Sequence, residues 1–422
     1  MPNFIDETKR LLRINRKRVF GIIFSVAFFI LLPPLVLLKG VFGRTVVTCR
    51  INARYFGHLG FNAAIAAAHT SNKDLFVLAS FIQPVVNTRL KEAAEQSLFI
   101  VSDQVLKIFE RIYYAIPDSI NKILAKFIHP IIDDRSELRE QIHFSKLAND
   151  DGSWKNAFWR SVNRGASAHN VGILVALRTS EYHGMSASQM LESYRNMSPD
   201  ELACVLEAAL NNSSQLPVTF YGSRYLFERY IEGCPILKQV NFIDQAHRDV
   251  LDLFPSAKLI INNGNGIGTV AAVANARVLH LKHSPWHAWP TFHTLGLVIP
   301  PLYEKQASKS NTIKDLCGMA LNTPSALPMN YHENFSNNGI SLKSLSINDG
   351  QIITSSIEEA LSSKLIIRDP DKFKGISFLY SSELEKVFWR SYIDNMPEKL
   401  RRVHSDIRVA ISSSFLSSNF GG

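Results

Sequence analysis

Cysteine is scarce, with Cys49, Cys204, Cys234 and Cys317 the only four in 422 residues, all far apart. That excludes a disulfide-dense secreted scaffold and leaves no CxxC pair for zinc or thiol redox chemistry, so buried thiols are expected. Charged residues make up only 20% of the chain, and no repeat of roughly 20–50 residues points to a solenoid or propeller. What is present is globular. Apolar residues make up 46%, and the length suits two ordinary domains with substantial cores plus a short extra segment.

The formal charge of +9 is unevenly placed. Lys9, Arg10, Arg13, Arg16, Lys17 and Arg18 oppose only Asp6 and Glu7, so six cations against two anions leave +4 in the first 18 residues and +5 over the rest. The remainder is too dilute for a nucleic-acid groove, and the basic tip lacks interleaved aromatics that would stack bases; no nucleic-acid partner is expected. From Val19 to Leu38 the next 20 residues carry no charge, the length needed to cross a hydrocarbon core. The reading is a retained membrane anchor whose basic flank faces the cytosol and anionic lipid. Pro33 and Pro34 disrupt that helix, so either a straight span or a re-entrant turn is open.

Beyond the anchor, apolar runs alternate with helical stretches. Thr45 to Ile51 predicts a buried strand, and Arg54-Tyr-Phe-Gly-His-Leu-Gly60 a glycine-punctuated turn into an alanine-rich helix. Asp74 to Ser80 predicts a strand and Thr88 to Gln96 a helix, while residues 105 to 150 read as mostly helical. After a polar stretch near 152–167 the alternation restarts. Strands are expected at Val171–Leu177, Pro217–Tyr221, Lys258–Asn262 and Arg277–Leu281, with helices at Ser198–Leu210, around Gln245–Phe254 and from near Ile267. This predicts an α/β chain with two Rossmann-like halves and a site beyond the carboxyl ends of the strands, in the cleft between the halves.

Several constellations could carry chemistry. Asn263-Gly264-Asn265-Gly266-Ile-Gly268-Thr269 joins a strand to a small-residue helix, where backbone N–H groups and a helix N-terminus suit a diphosphate. GxGxxG spacing and a Walker lysine are both missing, so a simple tight turn stays open. Arg178, just past a strand end and followed by Ser180 and Tyr182, can pair with phosphate oxygens or close a surface salt bridge. Gly222 and Ser223 occupy a comparable strand end. Arg54, Gly57 and His58 lie in the first glycine loop; His58 is the candidate base that takes a hydroxyl proton, with a packing or capping role as the alternative. His280, His283, His287 and His293 fall close together with Trp286 and Trp289 between them. No carboxylate accompanies them and Pro285 breaks helical spacing, so a sugar or nucleobase pocket or plain packing fits better than a metal. Asp369-Pro-Asp371 reads as a turn.

In their order these pieces resemble a bacterial glycosyltransferase family of GT-B type associated with surface polysaccharide biosynthesis. The resemblance spans about residues 44–418. It rests on Arg54 with Gly57-His58-Leu59, on Arg178-Thr-Ser-Glu-Tyr182, on Arg195-Asn196 before a helix, on Gly222 and on the loop Asn263–Thr269. Ser336-Asn-Asn-Gly-Ile340 before Glu358-Glu359-Ala360, and Ala410-Ile-Ser-Ser-Ser-Phe415, complete it. Thr179 stands where the family carries an acid. The resemblance implies a GT-B-like pair of Rossmann-like domains facing a cleft, behind an N-terminal membrane helix. Residues 1–43 would be the basic segment and anchor, 44–165 the acceptor domain, 166–375 the donor domain and 376–422 a helical tail. It also implies transfer from a nucleotide-sugar donor to a glycan or lipid-linked acceptor, at the cytoplasmic face of a bacterial inner membrane. No cofactor or metal is implied; Arg178, His283 and the 263–269 loop would balance the phosphates. A heptosyl or pyruvyl transferase, or a non-catalytic membrane-tethered sugar-binding scaffold, are the competing readings.

Overall fold

The computed structural model describes residues 39, 43–70, 73–115, 122–132, 153–162, 170–177, 197–231, 235–274, 276–282, 295–301, 303–305, 312–321, 340–343, 345, 349–362, 383–395 and 409–421. The apolar run 19–38 and its basic flank lie outside them. Among the described residues no helix is long and apolar enough to cross a membrane. The chain divides into two compact units, Met1–Glu137 and Leu138–Gly422.

In the first unit the order is β1 (Thr45–Asn52), α1 (Phe56–Thr70), β2 (Leu75–Ile82), α2 (Thr88–Ser97), β3 (Phe99–Ile100), α3 (Asp103–Ala115) and β4 (Ile128–Ile132). The strands form a parallel sheet in the order β3-β2-β1-β4. β1 is buried along nearly all its length, as its β-branched run predicts. Asn87 caps α2 by accepting from the Leu90 N–H. α3 turns Phe109 and Tyr113 onto the sheet face that carries Val46 and Ile128.

The second unit runs α4 (Ser153–Val162), β5 (Gly172–Ala176), α5 (Pro199–Leu210), β6 (Val218–Gly222), α6 (Arg224–Ile231), β7 (Asn241–Asp244), β8 (Ala257–Asn262), α7 (Gly266–Val273), β9 (Val278–Leu281) and β10 (Gly296–Ile299). It continues with β11 (Tyr303–Lys305), α8 (Ile313–Leu321), β12 (Ile340–Leu342), α9 (Gly350–Leu361), α10 (Glu383–Asn395), β13 (Ala410–Ile411) and α11 (Ser413–Phe420). Seven strands make one parallel sheet ordered β13-β10-β9-β8-β5-β6-β7, and β11 pairs antiparallel with β12. Counted from β5, the run from β7 to β10 follows the doubly wound order in which chain direction across the sheet reverses between the first and fourth strands. That reversal falls between β5 and β8. In the first unit the same reversal falls between β1 and β4.

Three particulars depart from the sequence reading. α4 belongs with the second unit, its Trp159 Nε1 donating to the Val273 carbonyl at 3.1 Å. The segment read as a helical tail is part of that unit: α10 buries Phe388, Trp389 and Tyr392, and β13 is the outer strand of the large sheet. The helix expected around Gln245–Phe254 is instead two short 3₁₀ turns, Val250–Asp252 and Phe254–Ser256, because Asp249 caps the first and Pro255 opens the second. Cys49, Cys204 and Cys317 are buried free thiols; burial pushes Cys204 up to about 11, aided by the Asp349, Glu207 and Glu201 charges.

Candidate functional site

At the β5/β8 reversal, Ala176 stands in register with Asn262, so the two strands end side by side. The junction is stitched by asparagine. Asn262 Nδ2 and Asn265 Nδ2 both donate to the Ala176 carbonyl, at 3.0 and 2.9 Å. Asn262 Oδ1 accepts from the N–H groups of Gly264 and Asn265, at 2.8 and 3.3 Å. Asn265 Oδ1 caps α7, accepting from Ile267 and Gly268 at 2.9 and 3.2 Å. Gly264 holds a positive φ of 79°, which turns the chain out of the strand.

This network revises the expectation for residues 263–269. The N–H groups of Gly264, Asn265, Ile267 and Gly268 are occupied inside the loop and are not open to a phosphate. Asn263, Asn265 and Gly268 are buried, while Gly264, Gly266 and Thr269 are half-buried. The α7 N-terminus still points out of the carboxyl edge with its partial positive charge. Asn262, read from the sequence only as the last strand residue, is the organising side chain; a polar amide ending an apolar run before Asn-Gly was the available signal.

The neighbouring strand ends continue this edge. Gly222 closes β6, its carbonyl accepting from the Gln245 N–H at 3.0 Å, and half-buried Ser223 follows at the start of α6. A Cβ at Gly222 would stand 2.9 Å from the Phe220 ring, so the glycine is also a packing requirement. Past β9, Lys282 adopts a φ of 45° and is buried. Its Nζ forms an ion pair with Glu201 Oε1, which also accepts from the Leu345 N–H at 2.9 Å. Glu201 Oε2 accepts from the Ser198 N–H at 2.9 Å, completing a capping box at the start of α5. Beside Lys282, Ile299, Pro300 and Asp349 line a cavity of about 20 Å³, room for a water-sized group and not for a sugar.

In the first unit the corresponding edge follows β1. Exposed Arg54 donates from Nε to the Gln83 carbonyl at 2.7 Å, and its N–H reaches Asn52 Oδ1 at 3.4 Å. Gly57 and His58 are not in a loop: α1 starts at Phe56, which puts both in its first turn. His58 is half-buried, its ring edge-on to exposed Tyr55 with centroids 5.8 Å apart. Deeper in the sheet, Arg50 makes a two-pronged contact with Asp103 at 2.8 and 3.1 Å and a third bond to Glu110 at 3.1 Å. Ser80 Oγ adds a bond to Asp103 at 3.1 Å. Burial pushes the Asp103 carboxyl up, but the Arg50 bonds and charge outweigh it and hold the group below its ordinary range.

Arg178, Ser180, Tyr182 and His283 lie outside the described residues, as do Arg195-Asn196, His287, His293 and Asp369–Asp371. Among the described residues no three His, Cys, Asp or Glu side chains are grouped as a metal would need.

No family model matches this chain, and no curated protein matches it. Among solved structures it is similar to a glycosyl transferase family 9 protein from Veillonella parvula DSM 2008, at 12% identity over 61% of this chain and 85% of that one, with a TM-score of 0.34. It is similar to E. coli ADP-heptose lps heptosyltransferase II at 10% identity over 69% and 98%, TM-score 0.37. A third is the Anabaena protein HepE in complex with UDP and glucose, at 11% identity over 76% and 100%, TM-score 0.28. At such identities and scores, function has to be argued from this chain's own residues.

Proposed function

We propose that the chain is a glycosyltransferase that moves a sugar from a nucleotide-sugar donor to a glycan or lipid-linked acceptor. The observation that carries this reading is the strand reversal at β5/β8, where an internally satisfied Asn-Gly junction leads into α7 with Gly264, Gly266 and Thr269 half-buried. In open parallel sheets the crevice outside the carboxyl ends at such a reversal is where nucleotides bind. Because four of the junction's amides are spent on asparagine side chains, the donor's diphosphate would be balanced by the α7 dipole, the Thr269 hydroxyl and the Arg178 guanidinium that follows β5. In the first unit, His58 would take the proton from the attacking acceptor hydroxyl, with Arg54 and Tyr55 beside it to hold the acceptor. Membrane attachment through residues 19–38 belongs to the same reading.

The test is calorimetric titration of the full chain with UDP, ADP and GDP, followed by assay of transfer from the matching sugar nucleotide. Binding that is lost in Arg178→Ala, and transfer that is lost in His58→Ala while diphosphate binding persists, is the expected pattern. Absence of binding to every nucleoside diphosphate overturns the proposal. The occupied amides favour one second reading, a non-catalytic sugar-binding scaffold, which would bind a glycan without turnover in the same assays.

A further inference from the structure

The amino edge of the first unit's sheet, opposite the edge that carries His58, has a composition of its own. The chain emerges from the uncharged run at Leu38, and the next residue is already tied to the sheet: Lys39 Nζ donates to Thr45 Oγ1 at 2.9 Å, and the Gly43 N–H to the Lys39 carbonyl at 2.9 Å. Thr45 Oγ1 in turn donates to the Lys126 carbonyl at 3.1 Å. The Thr45 N–H reaches the Asp74 carbonyl, and the Val46 N–H the Phe127 carbonyl, both at 2.7 Å. Three loops are thereby pinned at one end of the sheet, those entering β1, β2 and β4.

These loops are basic. Arg44, Lys73, Lys122 and Lys126 are exposed there and Lys39 is half-buried. Asp74 is the exposed acid in the same loops, and Glu95, near the end of α2, is already paired with Lys91 at 2.5 Å. Two large apolar side chains are exposed on these approaches, Ile123 just before Lys126 and Phe99 at the start of the outer strand β3, each 59% exposed. Cations interspersed with protruding apolar groups match an anionic lipid surface, where headgroups meet the cations and the apolar tips enter the interface.

We infer that this amino edge lies on an anionic bilayer surface, next to the end of the apolar run, so that the His58 edge points away from the membrane. β1 has eight residues, so at ~3.3 Å per residue the acceptor edge stands about 26 Å above the headgroups. Resting on the glycosyltransferase reading, this specifies the acceptor: a lipid-linked glycan already several sugars long, whose growing end reaches that height, and not the first sugar on the lipid.

The experiment uses the full chain with Cys234→Ser and a single added cysteine, Ile123→Cys or Val86→Cys, bearing an environment-sensitive fluorophore. Val86 is exposed beside Ala53 on the carboxyl edge, its N–H bonded to the Ala53 carbonyl. In phosphatidylcholine–phosphatidylglycerol vesicles the label at 123 should shift to the blue relative to pure phosphatidylcholine, while the label at 86 does not. Raising salt from about 0.1 M to about 1 M cuts the screening length from ~10 to ~3 Å and should abolish the shift. Lys122→Glu with Lys126→Glu should do the same. An unchanged spectrum at 123 in anionic vesicles, or a shift at 86 in its place, overturns the inference. Nucleoside diphosphate binding by the same labelled protein reports separately on the glycosyltransferase reading, so the failure of one is distinguishable from the failure of the other.

Discussion

At Gly268 a Cβ would lie 2.1 Å from Asn262 Oδ1, the atom that holds the Gly264 and Asn265 N–H groups. Gly268→Ala must therefore displace the asparagine that organises the β5/β8 junction. Overpacking of this kind costs about 1–3 kcal/mol. The expected outcome is a lowered melting temperature together with weakened nucleoside diphosphate binding, read by calorimetry on the same sample. Asp103 gives a residue-scale prediction of a different kind. Its folded-state value is depressed, so its contribution to stability is complete above the unfolded value of about 3.9 and is lost as pH falls through the lower folded value. Denaturant titrations at successive pH values should show the first unit losing stability in that acid window. Asp103→Asn should flatten the slope there and lower stability at neutral pH.

Among the elements, α5, the end of β9 and the backbone at Leu345 meet on one carboxylate. Glu201 is buried and caps α5, pairs with Lys282 and accepts from Leu345. Removing one partner of a buried pair leaves an uncompensated charge and costs about 3–5 kcal/mol. Glu201→Ala should show that loss in chemical denaturation, and Lys282→Met, which removes the cation but keeps the stem, should lose less than Glu201→Ala. Element legibility in the sequence followed similar local logic. β1, β5, β8 and β9 were readable because each is a short apolar run closed by turn residues, and α5 because Ser198-Pro-Asp-Glu201 spells a capping box. β4 is not legible because His129 and Pro130 interrupt its apolar run; the structure admits the proline because β4 is an outer strand of its sheet. Gly57 and Gly60 suggest a turn around His58 in the sequence, yet both glycines are buried within α1. The Asn263–Thr269 junction is legible in the sequence as strand end, turn and helix start. Its internal bonding was not legible, since side-chain direction at Asn262 depends on where β5 ends, 86 residues away in the chain.

For the molecule as a whole, the two compact units predict how a ligand will register. If, as proposed, a nucleoside diphosphate binds at the β5/β8 edge, it would contact the folded second unit and at 100 times its dissociation constant would add about 2.7 kcal/mol there. Differential scanning calorimetry should resolve two transitions, with the diphosphate raising the one that belongs to Leu138–Gly422 and leaving the other in place. Equal movement of both would show that the units unfold as one. The pair of hydrogen bonds on the Ala176 carbonyl carries a mechanical consequence. With two asparagine amides on one carbonyl oxygen, the tip of β5 and the first turn of α7 behave as a single rigid jaw. A guest binding there, as proposed, would meet a preset edge and not one that folds around it.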